Sequence, residues 1–154
     1  YILLNKESTP LHCSIKMKQI IHNLQFSSKN KSLIDITGKI KSIVDESNIT
    51  RGLINLSILH TTCSIIIQEN ADKDVENDVI EFFDNLVPQN KNYNHCIEGP
   101  DDMPAHLKTL LTQTHLSLTI ENNSLVLGRW QGIFIMEHRI EERERSLVCH
   151  LIGE

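Results

Sequence analysis

Aromatic side chains are scarce in this chain, at 5% of 154 residues, so isoleucine, leucine and valine must fill its core. A single domain of this length buries roughly two thirds of its unfolded surface, so it needs no covalent staples. The four cysteines, Cys13, Cys63, Cys96 and Cys149, contain no Cys-x-x-Cys pair, and reduced thiols in an intracellular protein are expected. No apolar run approaches the roughly 20 residues of a membrane-spanning helix, and the start at Tyr1 lacks a signal-peptide pattern. A cytoplasmic protein without a membrane partner is expected, although a start other than Met suggests a chain trimmed from a longer one. Excess positive charge is missing too. A formal charge of -5 and a pI near 5.9 give no general attraction to nucleic acid. Internal repeats and linkers are absent, which predicts one domain over 1–154.

The segment from residue 12 to 24 reads as an edge strand, with Ser14, Lys16 and Lys18 alternating with Cys13, Ile15 and Met17. A polar loop is expected over Ser27 to Ser32, then a helix capped by Asp35 or Thr37, with Ile36, Ile40, Ile43 and Val44 on one face. Asn48 to Gly52 breaks it. A strand from Leu53 to His60 and another from Thr62 to Gln68 follow. Asp74 is expected to cap a second helix, in which Val75, Val79, Phe82, Phe83 and Leu86 recur at helical spacing until Pro88. Asn90 to Pro100 is a polar loop, and Asp101 or Asp102 starts a third helix with Pro104 in its first turn.

Beyond Leu116 the pattern turns to strands: Leu116 to Ile120, Leu125 to Trp130, Ile133 to His138, and Ser146 to Ile152. Asn122-Asn123 suits a hairpin turn, and Glu141 to Arg145 reads as the solvated tip of the last hairpin. Late strands running together predict an α+β fold, largely antiparallel with about three helices.

Three polar clusters stand out, at His60 to Asn70, His95 to His106 and Trp130 to Arg139. His60 ends an apolar strand beside Thr61, Thr62 and Ser64, where it reads equally as a pocket residue and as a core histidine held by a carbonyl. Asp102 and His106 share a helical face, so the carboxylate can orient a metal-bound imidazole, or simply cap a helix bearing a surface histidine. His60, His95 and His106 could together hold zinc with a fourth position open, although no His-Glu-x-x-His signature supports this. The helix start, with Lys108, Arg129 and Arg139, could hold phosphate. Strand alternation sends Glu137 and His138 to opposite faces. Trp130 reads as either a buried sheet residue or a ligand platform.

In chain order, His60-Thr-Thr-Cys-Ser, Glu69-Asn70, Asp78, Pro88, Tyr93-Asn-His95, Asp101-Asp102-Met-Pro-Ala-His106, Leu127-Gly-Arg-Trp-Gln131, Glu137-His-Arg139 and Arg145 form a pattern. It resembles the YjbQ-like family, also described as secondary thiamine-phosphate synthase, over about Ile34 to Gly153. The resemblance implies a compact α+β homotrimer with histidine-lined pockets near subunit contacts. It also implies a weak capacity to join an aminopyrimidine diphosphate to a thiazole phosphate, with a divalent metal, zinc or magnesium, neutralising the departing pyrophosphate. Gln113, His115, Asn123 and Arg129 depart from the pattern.

The expected site therefore has His60, His95 and His106 as metal ligands and Glu69, Asp102 and Glu137 as catalytic carboxylates, with Glu69 as a possible general base. Thr61, Thr62, Ser64, Asn70, Lys108, Gln131 and Arg139 would bind a small phosphorylated molecule. The alternatives are a metal-assisted phosphate-ester hydrolase and a non-catalytic trimer that binds a small ligand or metal.

Overall fold

A computed structural model describes residues 16–154. Its elements are β1 (Lys18–Ser28), β2 (Ser32–Asp35), α1 (Thr37–Ser47), β3 (Arg51–Ile58), β4 (Cys63–Glu69), α2 (Lys73–Leu86), α3 (Asp102–Leu111), β5 (His115–Glu121), β6 (Ser124–Leu125), β7 (Gln131–Glu137) and β8 (Arg143–Gly153). Every strand pairing is antiparallel, in a five-stranded sheet β1-β8-β3-β5-β6 and a three-stranded sheet β2-β7-β4. With three helices among the described residues, this is the α+β fold that the sequence pattern predicts.

The core lies between the sheets. Ile54, Leu56, Leu147 and Leu151 from the large sheet meet Cys63, Ile65, Ile133 and Ile135 from the small one, while Ile40, Ile43 and Val44 of α1 complete the same cluster. These are period-two positions on strands and one stripe of a helix. The small sheet is covered on its other face as well: Leu33, Phe134 and Met136 pack against Val79, Ile80 and Phe83 of α2. β7 is therefore buried on both faces, which explains its unbroken apolar run.

Several boundaries differ from expectation. β1 continues through Ser28 because it pairs with β8 along its full length, from Lys18 against Gly153 to Ser28 against Arg143. The turn is confined to the next three residues, where Asn30 takes a positive φ of 56°; residues 12–15 of the expected strand lie outside the described residues. Asp35 serves α1 by accepting from the Thr37 N–H at 2.8 Å. Asp72, not Asp74, caps α2, accepting from the Asp74 N–H at 2.9 Å. The strand expected over Leu125 to Trp130 shrinks to Ser124–Leu125, since only those residues find ladder partners on β5. Asn122 and Asn123 both adopt positive φ, 53° and 58°, as a type I′ hairpin requires.

Gly52 fixes the register of the large sheet, because a Cβ there would lie 2.2 Å from the Ile152 carbonyl oxygen on β8. Gly52→Ala should lower stability by about 2 kcal/mol or more, while Gly38→Ala, where a Cβ meets nothing within 4 Å, should leave α1 unchanged or stabilised by up to about 1 kcal/mol. Urea unfolding followed by far-UV circular dichroism measures both, and a Gly52→Ala protein as stable as the parent would contradict the packing described.

Candidate metal and anion site

The third helix is held in place by an arginine. Arg139, just beyond β7, is 2% exposed and donates from Nε to Asp101 at 3.0 Å, from Nη1 to Asp102, and from Nη2 to the Glu98 carbonyl at 2.7 Å. Asp101 also accepts from the Ile140 N–H at 2.9 Å. Burial would push the Asp101 carboxyl up, but the Ile140 N–H and the Arg139 guanidinium hold it below the ordinary carboxylate range. The first turn of α3 and the loop before it are thus fastened to the end of the small sheet.

On that fastened turn, His95 Nε2 lies 2.7 Å from Asp102 Oδ2 and His106 Nε2 lies 3.8 Å from the same oxygen. Among the described residues, His95, Asp102 and His106 offer ligand atoms that all fall within 4.8 Å of one another. Two imidazole nitrogens and a carboxylate oxygen are a donor set suited to a zinc-like ion with open positions, and a small separation of the rings would admit one. Asp102, read from the sequence as the group behind a ligand, is itself a potential ligand here. Its second oxygen is engaged by Arg139, which orients the carboxylate.

Asp102 and His106 line a cavity of about 600 Å³ together with His60, Thr61, Thr62, Glu98, Thr114, Arg139, Arg143 and Arg145. His60 belongs to this wall but not to the ligand trio. Its Nε2 accepts the Ser146 N–H at 2.8 Å, so the neutral ring carries its proton on Nδ1. Burial, then the nearby Arg145 charge, keeps the ring's pKa below the ordinary value. Thr62 Oγ1 accepts from Arg145 Nη1 at 3.1 Å, which leaves the hydroxyl proton available to a ligand oxygen.

Other expected site residues lie elsewhere. Glu137, expected to be catalytic, is 1% exposed; its oxygens accept from Arg145 Nε and Nη2, both at 2.6 Å, from the Arg139 N–H at 2.8 Å, and from Ser28 Oγ. It is committed to the scaffold. Lys108, expected on phosphate, is 2% exposed and paired with Asp84 of α2. Ser64 sits on the α2-facing side of β4, fully buried, 2.9 Å from His138 Nε2. Glu69, Asn70 and Gln131 occupy the far end of the small sheet, where Glu69 pairs with Gln131 six ladder steps from the Cys63 and Glu137 pair, roughly 20 Å away at about 3.3 Å per residue. Within one chain they cannot act on the same atoms as His106. Trp130 is neither buried nor in a strand; it is 55% exposed, with the Arg129 guanidinium 4.7 Å over its ring.

Glu98, Thr114, Arg143 and Arg145 were not expected on the wall. Arg145 is 3% exposed rather than part of a solvated tip, because β8 begins at Arg143 and its inward face runs Arg143, Arg145, Leu147, Cys149, Leu151. Extending the alternation of the apolar residues back by four positions was the signal that could have found both arginines.

The family model for UPF0047 protein YjbQ-like matches residues 22–154. The chain belongs to this family. It is 43% identical over 132 residues to a UPF0047 protein of Synechocystis, covering 85% of this chain and 90% of that one. It is also 37% identical to UPF0047 protein YjbQ of Escherichia coli O157:H7, covering 85% of this chain and 96% of that protein. A conserved hypothetical protein of Thermus thermophilus superposes with a TM-score of 0.72 at 34% identity, over 82% of this chain and 97% of that one. A YbjQ-like protein of Sulfolobus solfataricus shares the fold at a TM-score of 0.84 and 24% identity, covering 90% of this chain and all of that one.

Burial, helped by the Lys108 charge, lowers the His138 pKa to about 3. In the unfolded YjbQ-like chain that ring binds a proton below about pH 6.5, while the folded ring stays neutral, so stability is lost as pH falls from about 6.5. His60, shifted the same way, adds to the slope, and Glu137 and Asp101 lose their contributions below about pH 4. Urea midpoints measured between pH 7.5 and 5 should therefore decline in the parent and decline less in His138→Gln. A parent midpoint that did not move over that interval would contradict the buried neutral ring.

Proposed function

We propose that the chain is a metal-dependent enzyme that acts on a small phosphorylated substrate. The observation that carries this reading is the meeting of His95, Asp102 and His106, the last two of which line a cavity walled by threonine hydroxyls and arginines. A divalent cation held by that trio would supply Lewis acidity and neutralise charge on phosphate oxygens. Thr62 is poised to donate to such an oxygen, and His60 presents a neutral ring fixed in one tautomer by the Ser146 N–H.

Within this class, formation of thiamine phosphate from its two phosphorylated precursors is the reaction that the family resemblance points to. A divalent cation at the trio, beside the threonine hydroxyls, would suit the departure of pyrophosphate. The second reading is hydrolysis of a phosphate ester. It is favoured by Glu98, whose side chain is 63% exposed, lines the cavity and lies 3.9 Å from Arg139, so that its carboxylate is available as a base.

The same proposal includes assembly as a homotrimer. Phe82 and Leu86 of α2 are 59% and 53% exposed, beside an apolar groove that Ile66, Val75 and Leu111 help to line, a surface of the kind that subunit contacts cover. Light scattering should give three times 17.6 kDa, and a monomer would contradict it.

Metal content by mass spectrometry should be near one divalent ion per chain after zinc loading and dialysis, and should be lost in His106→Ala. Turnover of the two thiamine precursors, or of a phosphate ester panel, should fall about 100-fold in the same variant. Retained metal together with unchanged turnover in His106→Ala would overturn the proposal, as would ligand binding without turnover across both panels.

A further inference from the structure

We propose that Arg143 is the residue that grips the terminal phosphate of a small phosphate monoester in this cavity, and that it does so effectively only when a divalent cation occupies the His95, Asp102 and His106 trio. The inference rests on the functional reading above and assigns the anion to a residue outside the motifs that define the family resemblance.

Strand geometry places the residue. Inward positions of β8 alternate from Leu151 through Cys149, Leu147 and Arg145 to Arg143, so Arg143 stands where the space between the sheets opens into the cavity. Its backbone is anchored by pairing with Ser28 of β1. A side chain projecting from a paired strand is a firmer support than one on a loop.

Three guanidinium groups line the cavity, and two are already consumed. Arg139 directs its donors to Asp101, Asp102 and the Glu98 carbonyl. Arg145 directs its donors to Glu137 and Thr62. Arg143 differs: its Nε is buried without a hydrogen-bond partner among the described residues. Its Nη2 lies 3.7 Å from Glu141, whose side chain is 82% exposed, a contact of little strength in water. A buried N–H without an acceptor carries a penalty, so the side chain gains by turning toward the cavity, where a phosphate oxygen can meet it, and the planar fork of arginine matches phosphate geometry.

Charge then sets the order of binding. Arg139, Arg143 and Arg145 are opposed by Glu98 and Asp102 on the wall and by Asp101 and Glu137 directly behind it, leaving an excess of one negative charge that disfavours a dianion. A divalent cation at the trio reverses the sign. Size favours an ester over the free ion, because a cavity of about 600 Å³ greatly exceeds inorganic phosphate. An adjoining groove lined by Met103, Leu107 and Leu110 shares Thr61, His106 and Thr114 with it, giving an apolar group on the ester a place to lie.

The test is calorimetric titration of phenyl phosphate and of inorganic phosphate into the full chain, zinc-loaded and zinc-free, for the parent, Arg143→Gln and Glu141→Gln. In the zinc-loaded parent, phenyl phosphate should bind more tightly than inorganic phosphate. Arg143→Gln should weaken it about tenfold or more with zinc content unchanged, Glu141→Gln should leave it within about twofold, and zinc removal should weaken it about tenfold. Arg143→Gln binding within twofold of the parent overturns the assignment, as does tighter binding of inorganic phosphate than of the ester. Equal binding with and without zinc overturns the coupling. Failure to bind zinc at all would count against the metal site itself, while the dependence of phosphate binding on Arg143 would still be read from the zinc-free arm.

Discussion

The pair formed by Glu137 and Arg145 is the constraint on which the rest of this structure depends. Glu137 ends a strand of the small sheet and Arg145 lies near the start of a strand of the large one, and both are almost wholly buried. Burial of the carboxylate would by itself raise its pKa, but the bonds from Arg145, Ser28 and the Arg139 N–H hold it in the charged form. Removing one member would strand a charge in a low-dielectric interior, which makes such pairs costly to break even where they add little net stability. The pair fixes how the two sheets meet at one end of the sandwich, and that end is where the cavity opens.

From this clasp the site is assembled by short links. The Arg139 N–H bonds Glu137, while the Arg139 side chain holds Asp101 and Asp102. Asp102 then faces His95 and His106. Arg145 bonds Thr62, and Ser146 beside it fixes His60. The side chains of the candidate site come from two loops, a helix start and strand ends, yet each is tied within two or three contacts to the same buried pair. Such a chain of supports is how a site on irregular backbone is kept in register with a rigid scaffold.

Much of this was legible in the sequence, and the legible part has a common physical basis. Strand faces followed from period two, α1 and α2 from period near 3.6, and the hairpin from two asparagines tolerant of positive φ. The opposite facing of Glu137 and His138 also followed, one directed toward Arg145 and the other toward Ser64. Boundaries slipped where long-range pairing extended or cut short a local tendency, as at Ser28 and at Leu125. Site roles slipped where a charge is taken up by a partner that no local pattern reveals. Lys108 is used by Asp84, and Arg145 is withdrawn from solvent by Glu137.

Fold class, family and the closeness of Asp102 to His106 were readable from the sequence, because each depends on local periodicity or on motifs in order. Tertiary structure alone decided that His95 joins that pair while His60 stands apart, and that Glu69 and Gln131 lie at the opposite end of the sheet. It also decided which of the three arginines remains free. The reason is that convergence and the consumption of charge are set by the register of strands distant in sequence, which no local pattern encodes.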